Sequence, residues 1–396
     1  MEHTFDVVVA GLGAMGSAAA YHLARRGAKV LGLEARTIAH DQGSSHGESR
    51  IIRQAYFEHP AYVPLVQRAY RLWEELEAEC AQNLLTITGG LAIGTPHSAL
   101  VTGCLASART HGLAHELLDV AEMKRRFPQF SLAPDEVAFY ESKVGYLRPE
   151  DCIRQHLGGA ARRRADLRFE EPILSWTASE SGEGVTVVTA NQTYRAKSLV
   201  LCAGPWTREI WTSEIWTSEI APVLTVPLTV VRRVMFWLRP AAQSAAFDQK
   251  VFPIFLWEPE QGPFFYGIPR IDPTGEPKAA IHWGAEAEGD LCTPSTIDRA
   301  IHPRDEAAIR SALASRIPAM NGDIARAATC MYTMTPDAHF VIDAHPRYPQ
   351  VVIAAGFSGH GFKFSPAVGE ILSDLALTRN TSSDIALFSA SRSRGS

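Results

Sequence analysis

Several features are scarce in this chain of 396 residues, and each scarcity closes off a class of protein. Basic charge is not in excess. Lys and Arg total 38 against 43 Asp and Glu, a formal net charge of −5, so nothing invites nucleic acid or an anionic membrane surface. Long apolar runs are missing: no stretch of about 18 residues is apolar enough for a membrane-spanning helix. Cysteine is sparse and scattered. The six residues, Cys80, Cys104, Cys152, Cys202, Cys292 and Cys330, form no CxxC pair. That argues against a disulfide framework or a zinc site, and a reduced buried thiol is the ordinary reading of each. No metal site is expected. Residues 7–20 are apolar, as a signal-peptide core would be. The six residues before Val7 contain two acids and no Lys or Arg, so the expectation is no targeting segment and a cytoplasmic protein.

What is present is an ordinary globular composition, 46% apolar and 20% charged, unlike a disordered, collagen-like or coiled-coil chain. The length suits two or three folding units at about 100–200 residues each. The first forty residues read as β-α-β: a β-branched strand over 5–10, a helix over 14–26 closed by Gly27, and a strand over 29–34. A unit of this kind implies a parallel sheet covered by helices. Further helices are expected over 62–84, 97–111, 149–164, 296–317 and 366–378, and strands over 89–94, 199–204 and 351–356. From 222 to about 284 the pattern changes to short β-rich runs (223–236, 251–257, 264–268, 279–283) broken by Pro and Gly, which predicts a mainly antiparallel sheet. The polar tail from Ser389 is expected to fray. The unit Glu-Ile-Trp-Thr-Ser occurs twice in tandem over 209–218. Two copies are too few for a solenoid, and the segment reads as a local duplication in a surface helix or loop.

Four segments carry chemistry. The first is Gly11-Leu12-Gly13-Ala14-Met15-Gly16, between a strand and a helix. Gly11 permits a tight turn, Gly13 lets a pyrophosphate approach the backbone, and Gly16 lets helix and strand pack closely. Glu34, at the end of the next strand, is placed to accept hydrogen bonds from an adenosine ribose. The motif indicates a dinucleotide without separating FAD from NAD. The second runs from Gly43 through Ser45 and His46 to Arg50 and Arg53. Two arginines three apart suit bidentate binding of a carboxylate, and an exposed basic loop is the equal alternative. The third is Cys330-Met331-Tyr332-Thr333-Met334-Thr335-Pro336-Asp337. The fourth, Gly356-Phe357-Ser358-Gly359-His360-Gly361-Phe362-Lys363, puts three glycines beside His, Lys and aromatic residues, as backbone wrapped around a planar ligand would. Taken alone, Cys330 is a buried thiol and His360 a structural histidine.

Together these segments resemble the monomeric sarcosine oxidase and N-methyltryptophan oxidase family, within the glycine-oxidase and D-amino-acid-oxidase-like flavoenzymes, over nearly the whole chain. The resemblance implies a Rossmann-like FAD-binding α/β domain (1–86, 145–221 and 325–390) and an α+β substrate domain with a mainly antiparallel sheet (87–144 and 222–324). It implies FAD bound at Gly11, Gly13, Ala14, Met15, Gly16, Glu34, Ser45, Arg50, Met331, Gly359, His360, Gly361 and Lys363, and held covalently as 8α-S-cysteinyl FAD at Cys330. Arg53 and Lys363 match the pair that grips the substrate carboxylate, and Tyr56, Tyr266 and Tyr332 fall at pocket-lining positions. Arg50 and His46 match residues beside the flavin ring, His282 matches a pocket histidine, and Lys278 matches the lysine that activates oxygen.

The implied reaction is oxidation of a secondary α-amino acid, sarcosine or another N-methyl amino acid, to an imine, with O2 reduced to H2O2. The implied partners are the amino acid and O2, with no nucleic acid and no membrane, and the implied state is a monomer. The alternatives are an oxidase of a cyclic or bulky amino acid (pipecolate, proline, N-methyltryptophan), a flavin dehydrogenase with another acceptor, and a non-catalytic or NAD-binding protein on the same fold. The chain departs from the family pattern at Ser45-His46, around Lys278, in the duplication, and over 251–258, where Trp257 is expected to add a bulky ring to the pocket.

Overall fold

Strand Thr4–Ala10, helix Ala14–Arg25 and strand Val30–Leu33 form the expected β-α-β unit in the computed structural model, which describes residues 4–207, 226–240, 244–284 and 290–392. Val7, Val8 and Val9 are all fully buried, as a parallel strand covered on both faces requires. The helix is built from small residues, so its neighbours come close. A Cβ at Gly369 would lie 2.5 Å from the carbonyl carbon of Ala18, which is why helix Ser365–Thr378 can pack directly on it.

The first sheet runs Ile173–Ala178, Val185–Thr189, Thr193–Leu201, Thr4–Ala10, Val30–Leu33, Asp166–Arg168, with Val351–Ala355 on Thr193–Leu201 and Val341–Ala344 beyond it. Its centre is parallel: Val7 pairs with Ser198 and Val30, and Val200 with Val352. The second sheet has nine strands among the described residues. Its order is Leu291–Cys292, Thr229–Arg239, Lys278–Trp283, Phe264–Ile268, Ile254–Glu258, Gly90–Gly94, Val137–Glu141, Glu116–Leu118, with Asp323–Met334 also on Thr229–Arg239. Every pairing is antiparallel except Ile254–Glu258 with Gly90–Gly94. The expected α/β unit with a mainly antiparallel partner sheet is therefore the observed fold. Residues 325–334, grouped with the nucleotide unit on sequence, run along the second sheet. A small third sheet joins Arg50–Ile52, Gly145–Leu147 and Leu85–Ile87.

Three expectations shift. The helix expected over 296–317 is confined to Pro303–Ala314. Proline lacks the N–H and fixes φ for a first turn, so Pro303 starts the helix, and a capping box between His302 and Asp305 closes it. The helix expected over 62–84 ends at Cys80, where Ala81 turns left-handed and the Glu77 carboxylate accepts from the Leu84 and Leu85 amides instead. The tail does not fray over 389–392: Ala390 is fully buried and the Arg392 guanidinium holds both oxygens of Asp337. The tandem Glu-Ile-Trp-Thr-Ser copies and residues 223–225 lie outside the described residues. No helix among the described residues is long and apolar enough to cross a membrane.

Candidate active site

A cavity of about 760 Å³ opens where the parallel strands of the first sheet meet the second sheet. Its narrow end is the glycine turn. Gly11 has φ +86, and a Cβ there would stand 2.5 Å from the Cys202 carbonyl oxygen. A Cβ on Gly16 would stand 1.7 Å from the Gly11 oxygen, so only glycine lets the helix approach. At Gly13 the protein leaves space, its nearest neighbour being Ser45 Oγ at 4.0 Å. Gly11, Gly13, Ala14 and Met15 line the cavity, and no side chain caps the helix that starts there. Its free amides and dipole therefore point at whatever fills this end. Glu34 is buried beside it, accepting from Leu12 N at 2.8 Å and Arg36 N at 3.0 Å. These residues fit the diphosphate and ribose of a dinucleotide.

The wide end gathers the other three segments. Arg50 Nη2 donates to the Ser44 carbonyl at 2.9 Å and reaches the Cys330 sulfur at 3.8 Å. Cys330, Met331, Tyr332, Tyr266, His282, Ser45, Gly359, His360, Gly361, Arg53 and Lys363 all line the cavity. Gly359 has φ +79, and a Cβ there would strike the Tyr332 ring at 2.3 Å, so glycine brings the loop against the Cys330 strand. His282 Nδ1 lies 3.3 Å from the Tyr332 hydroxyl, and burial pushes its imidazole well below the ordinary range.

Gly16, His46, Tyr56 and Lys278 stand behind the lining. His46 is buried against Arg50, and burial with that guanidinium lowers it to about 3. Lys278 donates to the Gly47 and Ser49 carbonyls at 2.9 and 2.7 Å; burial and Arg50 push its ammonium well below the ordinary lysine range, against Glu150 and Glu48. Trp257, expected in the pocket, is instead core. It is fully buried, stacks on Phe265 at 5.8 Å and donates to Glu136 at 2.8 Å. The strand alternates faces, so Leu256 reaches the cavity and Trp257 points away.

Three carboxylates that sequence reasoning passed over hold the arginine segment in place. Glu150 Oε1 accepts from Gly47 N at 2.7 Å and Glu48 N at 3.2 Å. Glu141 accepts from Gln54 N and Ala55 N, both at 3.0 Å. Glu58 takes Arg53 Nη2 on both oxygens, at 2.8 and 2.6 Å, and Arg53 Nη1 donates to the Ala55 carbonyl. Glu141 and Glu150 lie 86 and 102 positions from their nearest partners, so no local spacing signals them. Glu58, five residues from Arg53, was within reach as an opposite charge beside a predicted cation.

The Arg53 and Glu58 side chains are 6% and 5% exposed. Burial alone would raise the Glu58 carboxyl, but Arg53, His360 and Lys363 hold it at about 2. Burial opposes the Arg53 charge, and Glu58 more than offsets it, so the guanidinium holds its proton more tightly than usual. The Glu58 contribution to stability is therefore complete above the ordinary carboxyl value of 4.5 and is lost as the pH falls through about 2. Glu58→Gln should cost about 3 kcal/mol at neutral pH by stranding a buried cation, read as a lower urea midpoint, and acetate should restore part of it. An unchanged midpoint would show that the pair does not support the fold.

Known proteins share the sequence and fold of this chain. Residues 6–375 match the family described as FAD dependent oxidoreductase. The chain is 47% identical to monomeric sarcosine oxidase of Streptomyces avermitilis over 394 residues, covering 99% of this chain and 98% of that protein. It is 32% identical to N-methyl-L-tryptophan oxidase of Yersinia pestis, over 98% of this chain and all of that one. Among solved structures it is similar to NikD, an unusual amino acid oxidase essential for nikkomycin biosynthesis, with a TM-score of 0.82 at 24% identity and coverage of 98% and 97%; at that identity the likeness speaks for the fold. A dinucleotide cradle opening onto a wall of buried cations, on this fold and with these relatives, places the chain in the FAD-dependent oxidoreductase family.

Proposed function

We propose that the protein is an FAD-dependent amine oxidase that converts a secondary α-amino acid, sarcosine or another N-methyl amino acid, to an imine with formation of H2O2. The observation that carries the proposal is that the glycine cradle, the Cys330 thiol and the Arg53/Lys363 pair all face one cavity. When bound, FAD would supply the two-electron acceptor for a C–H bond next to nitrogen and the route from there to O2.

The roles of the chain's own residues follow from charge and position. Gly11, Gly13, Ala14, Met15 and Glu34 would hold the adenosine diphosphate, with Gly16 keeping the helix close. Ser45, Met331, Gly359 and Gly361 would hold the ring, and Cys330 would carry it through an 8α-S-cysteinyl bond. Arg50, with His46 behind it, supplies positive charge where negative charge would accumulate. Arg53 and Lys363 would anchor the substrate carboxylate. Glu58 now occupies the Arg53 donor, so an incoming carboxylate would enter by competing with it. Tyr266, Tyr332 and His282 would bound the amine end, with Tyr56 behind Lys363. Lys278 would promote reduction of O2. A substrate of larger side chain gains no support from Trp257, which lies in the core. The name monomeric sarcosine oxidase of the 47% relative supports a single chain as the working unit.

Four measurements test this. A panel of N-methyl and cyclic amino acids under air should give peroxide with sarcosine or another N-methyl acid, and Arg53→Ala should raise KM at least about 100-fold by removing a charge-assisted anchor; no peroxide with any member would end the proposal. Acid precipitation should leave the yellow chromophore on the protein, and its complete release would remove the Cys330 bond. Lys278→Met should slow reoxidation by air about 100-fold while anaerobic reduction by substrate stays near normal; the reverse pattern would discard the oxygen role.

A further inference from the structure

At the cavity wall, three side chains form one directed line. Lys363 Nζ donates to the Tyr56 hydroxyl oxygen at 3.3 Å and to the His360 carbonyl at 2.6 Å. Tyr56 Oη lies 2.6 Å from His360 Nδ1, with the His360 carbonyl at 3.2 Å as a second acceptor. His360 Nε2 lies 2.9 Å from the Ala338 carbonyl oxygen. A carbonyl can only accept, so Nε2 carries a hydrogen, and in the neutral ring Nδ1 is an acceptor. Tyr56 must then donate to Nδ1. The hydrogen bonds therefore all run one way, from Lys363 through Tyr56 to His360. At the far end Glu58 Oε1 stands 4.0 Å from Nδ1.

Lys363, Tyr56 and His360 are 5%, 0% and 5% exposed. Lys363 and His360 line the cavity, and Tyr56 joins them from behind. The titratable and charged groups facing the line are Arg53 and Glu58 from the arginine segment, Tyr62 from helix Tyr62–Cys80, His282 from the second sheet, and His339, whose Nδ1 lies 3.2 Å from the Tyr62 hydroxyl.

We propose that Lys363, Tyr56 and His360 form a proton relay that takes the ammonium proton of the bound amino acid and holds it inside the protein until the C–H bond is broken. The relay rests on the amine-oxidase reading. A secondary amino acid in water is a zwitterion, and its ammonium has no lone pair to assist loss of hydride from the neighbouring carbon. In the first transfer the substrate N–H bond breaks and an N–H bond forms on Nζ of the Lys363 amine. In the second, Nζ passes a proton on to Tyr56 Oη and reverts to the amine as the hydroxyl passes its own to His360 Nδ1, giving an imidazolium. No electrons move, and the total charge is unchanged. On Lys363 the proton faces the substrate carboxylate; on His360 it faces Glu58. The first transfer thus frees the amine and charges Lys363 toward the acid group, and Arg53 keeps that group anchored when the proton moves on to His360. Burial and Arg53 lower the Lys363 ammonium to about 7, against Glu58, which makes the amine form available near neutral pH. Burial likewise lowers His360 to about 4, against Glu58, so the imidazole starts neutral.

The test follows the proton and the electrons separately. Flavin-loaded wild type and Tyr56→Phe are mixed rapidly with sarcosine without oxygen in weak buffer, while flavin absorbance and a pH indicator are recorded. Tyr56→Phe keeps the ring packed on Tyr62 and Phe364 and removes only the hydroxyl. In wild type, bleaching should precede any proton in solvent. In Tyr56→Phe about one proton per site should appear before bleaching, and the bleaching rate should fall about tenfold per pH unit on the acid side, where wild type changes little. His360→Gln should act as Tyr56→Phe does, and serves if the first variant does not retain flavin. A wild-type proton that reaches solvent before bleaching overturns the relay, as do identical traces and pH profiles in wild type and both variants. A wild type that bleaches with no secondary amino acid overturns the oxidase reading and the relay with it, a result distinguishable from the others.

Discussion

Drying positive charge is the constraint that shapes this molecule. Taken as whole residues, Arg53, Lys278 and Lys363 are at most 5% exposed, and Arg50 is half-buried beside them. An unpaired buried cation costs several kcal/mol, and each of these is met in a different way. Arg53 has a carboxylate, Lys278 has two carbonyls, and Lys363 has a carbonyl and a hydroxyl. The carbonyls that satisfy Lys278 belong to the same short segment whose amides are taken by Glu150. That segment is therefore held from both sides, and Glu48 within it stays in a left-handed conformation at φ 66. Electrostatic compensation and backbone geometry are here one problem with one solution.

The fold turns this local solution into a site. The first sheet supplies the glycine turn and the Gly356–Lys363 loop, each at the carboxyl end of a parallel strand, where open α/β sheets bind ligands. The second sheet supplies Cys330, Tyr332, Tyr266 and His282 from three strands. Trp73, fully buried on helix Tyr62–Cys80, holds the Gly356–Lys363 loop by donating its indole N–H to the Lys363 carbonyl at 3.0 Å. A core residue thus fixes the backbone that aims a cavity-lining amine.

Some of this was written plainly in the sequence. The glycine turn was legible because its requirements are local: close approach, positive φ and a following helix all fall within six residues. Cys330, Arg50, Arg53 and Lys363 were legible as motif members and do meet in space. Glu141 and Glu150 were not, because their work is done on amides almost ninety or more positions away, and an isolated glutamate reads as a solvated charge. Trp257 misled because a bulky ring on a cavity-bordering strand reads equally for either face, and the pleat decides. The helix start at Pro303 was available from the missing N–H of proline, a stronger signal than the helical composition around it.

One residue of the polar tail has more reach than its position suggests. Arg392 grips Asp337 with two nitrogens and also donates to the His339 and Phe340 carbonyls. Between them sits the Ala338 carbonyl that fixes which nitrogen of His360 bears hydrogen. Arg392 is therefore a latch on an imidazole deep in the protein. Loss of its guanidinium would disturb tautomer choice rather than a surface.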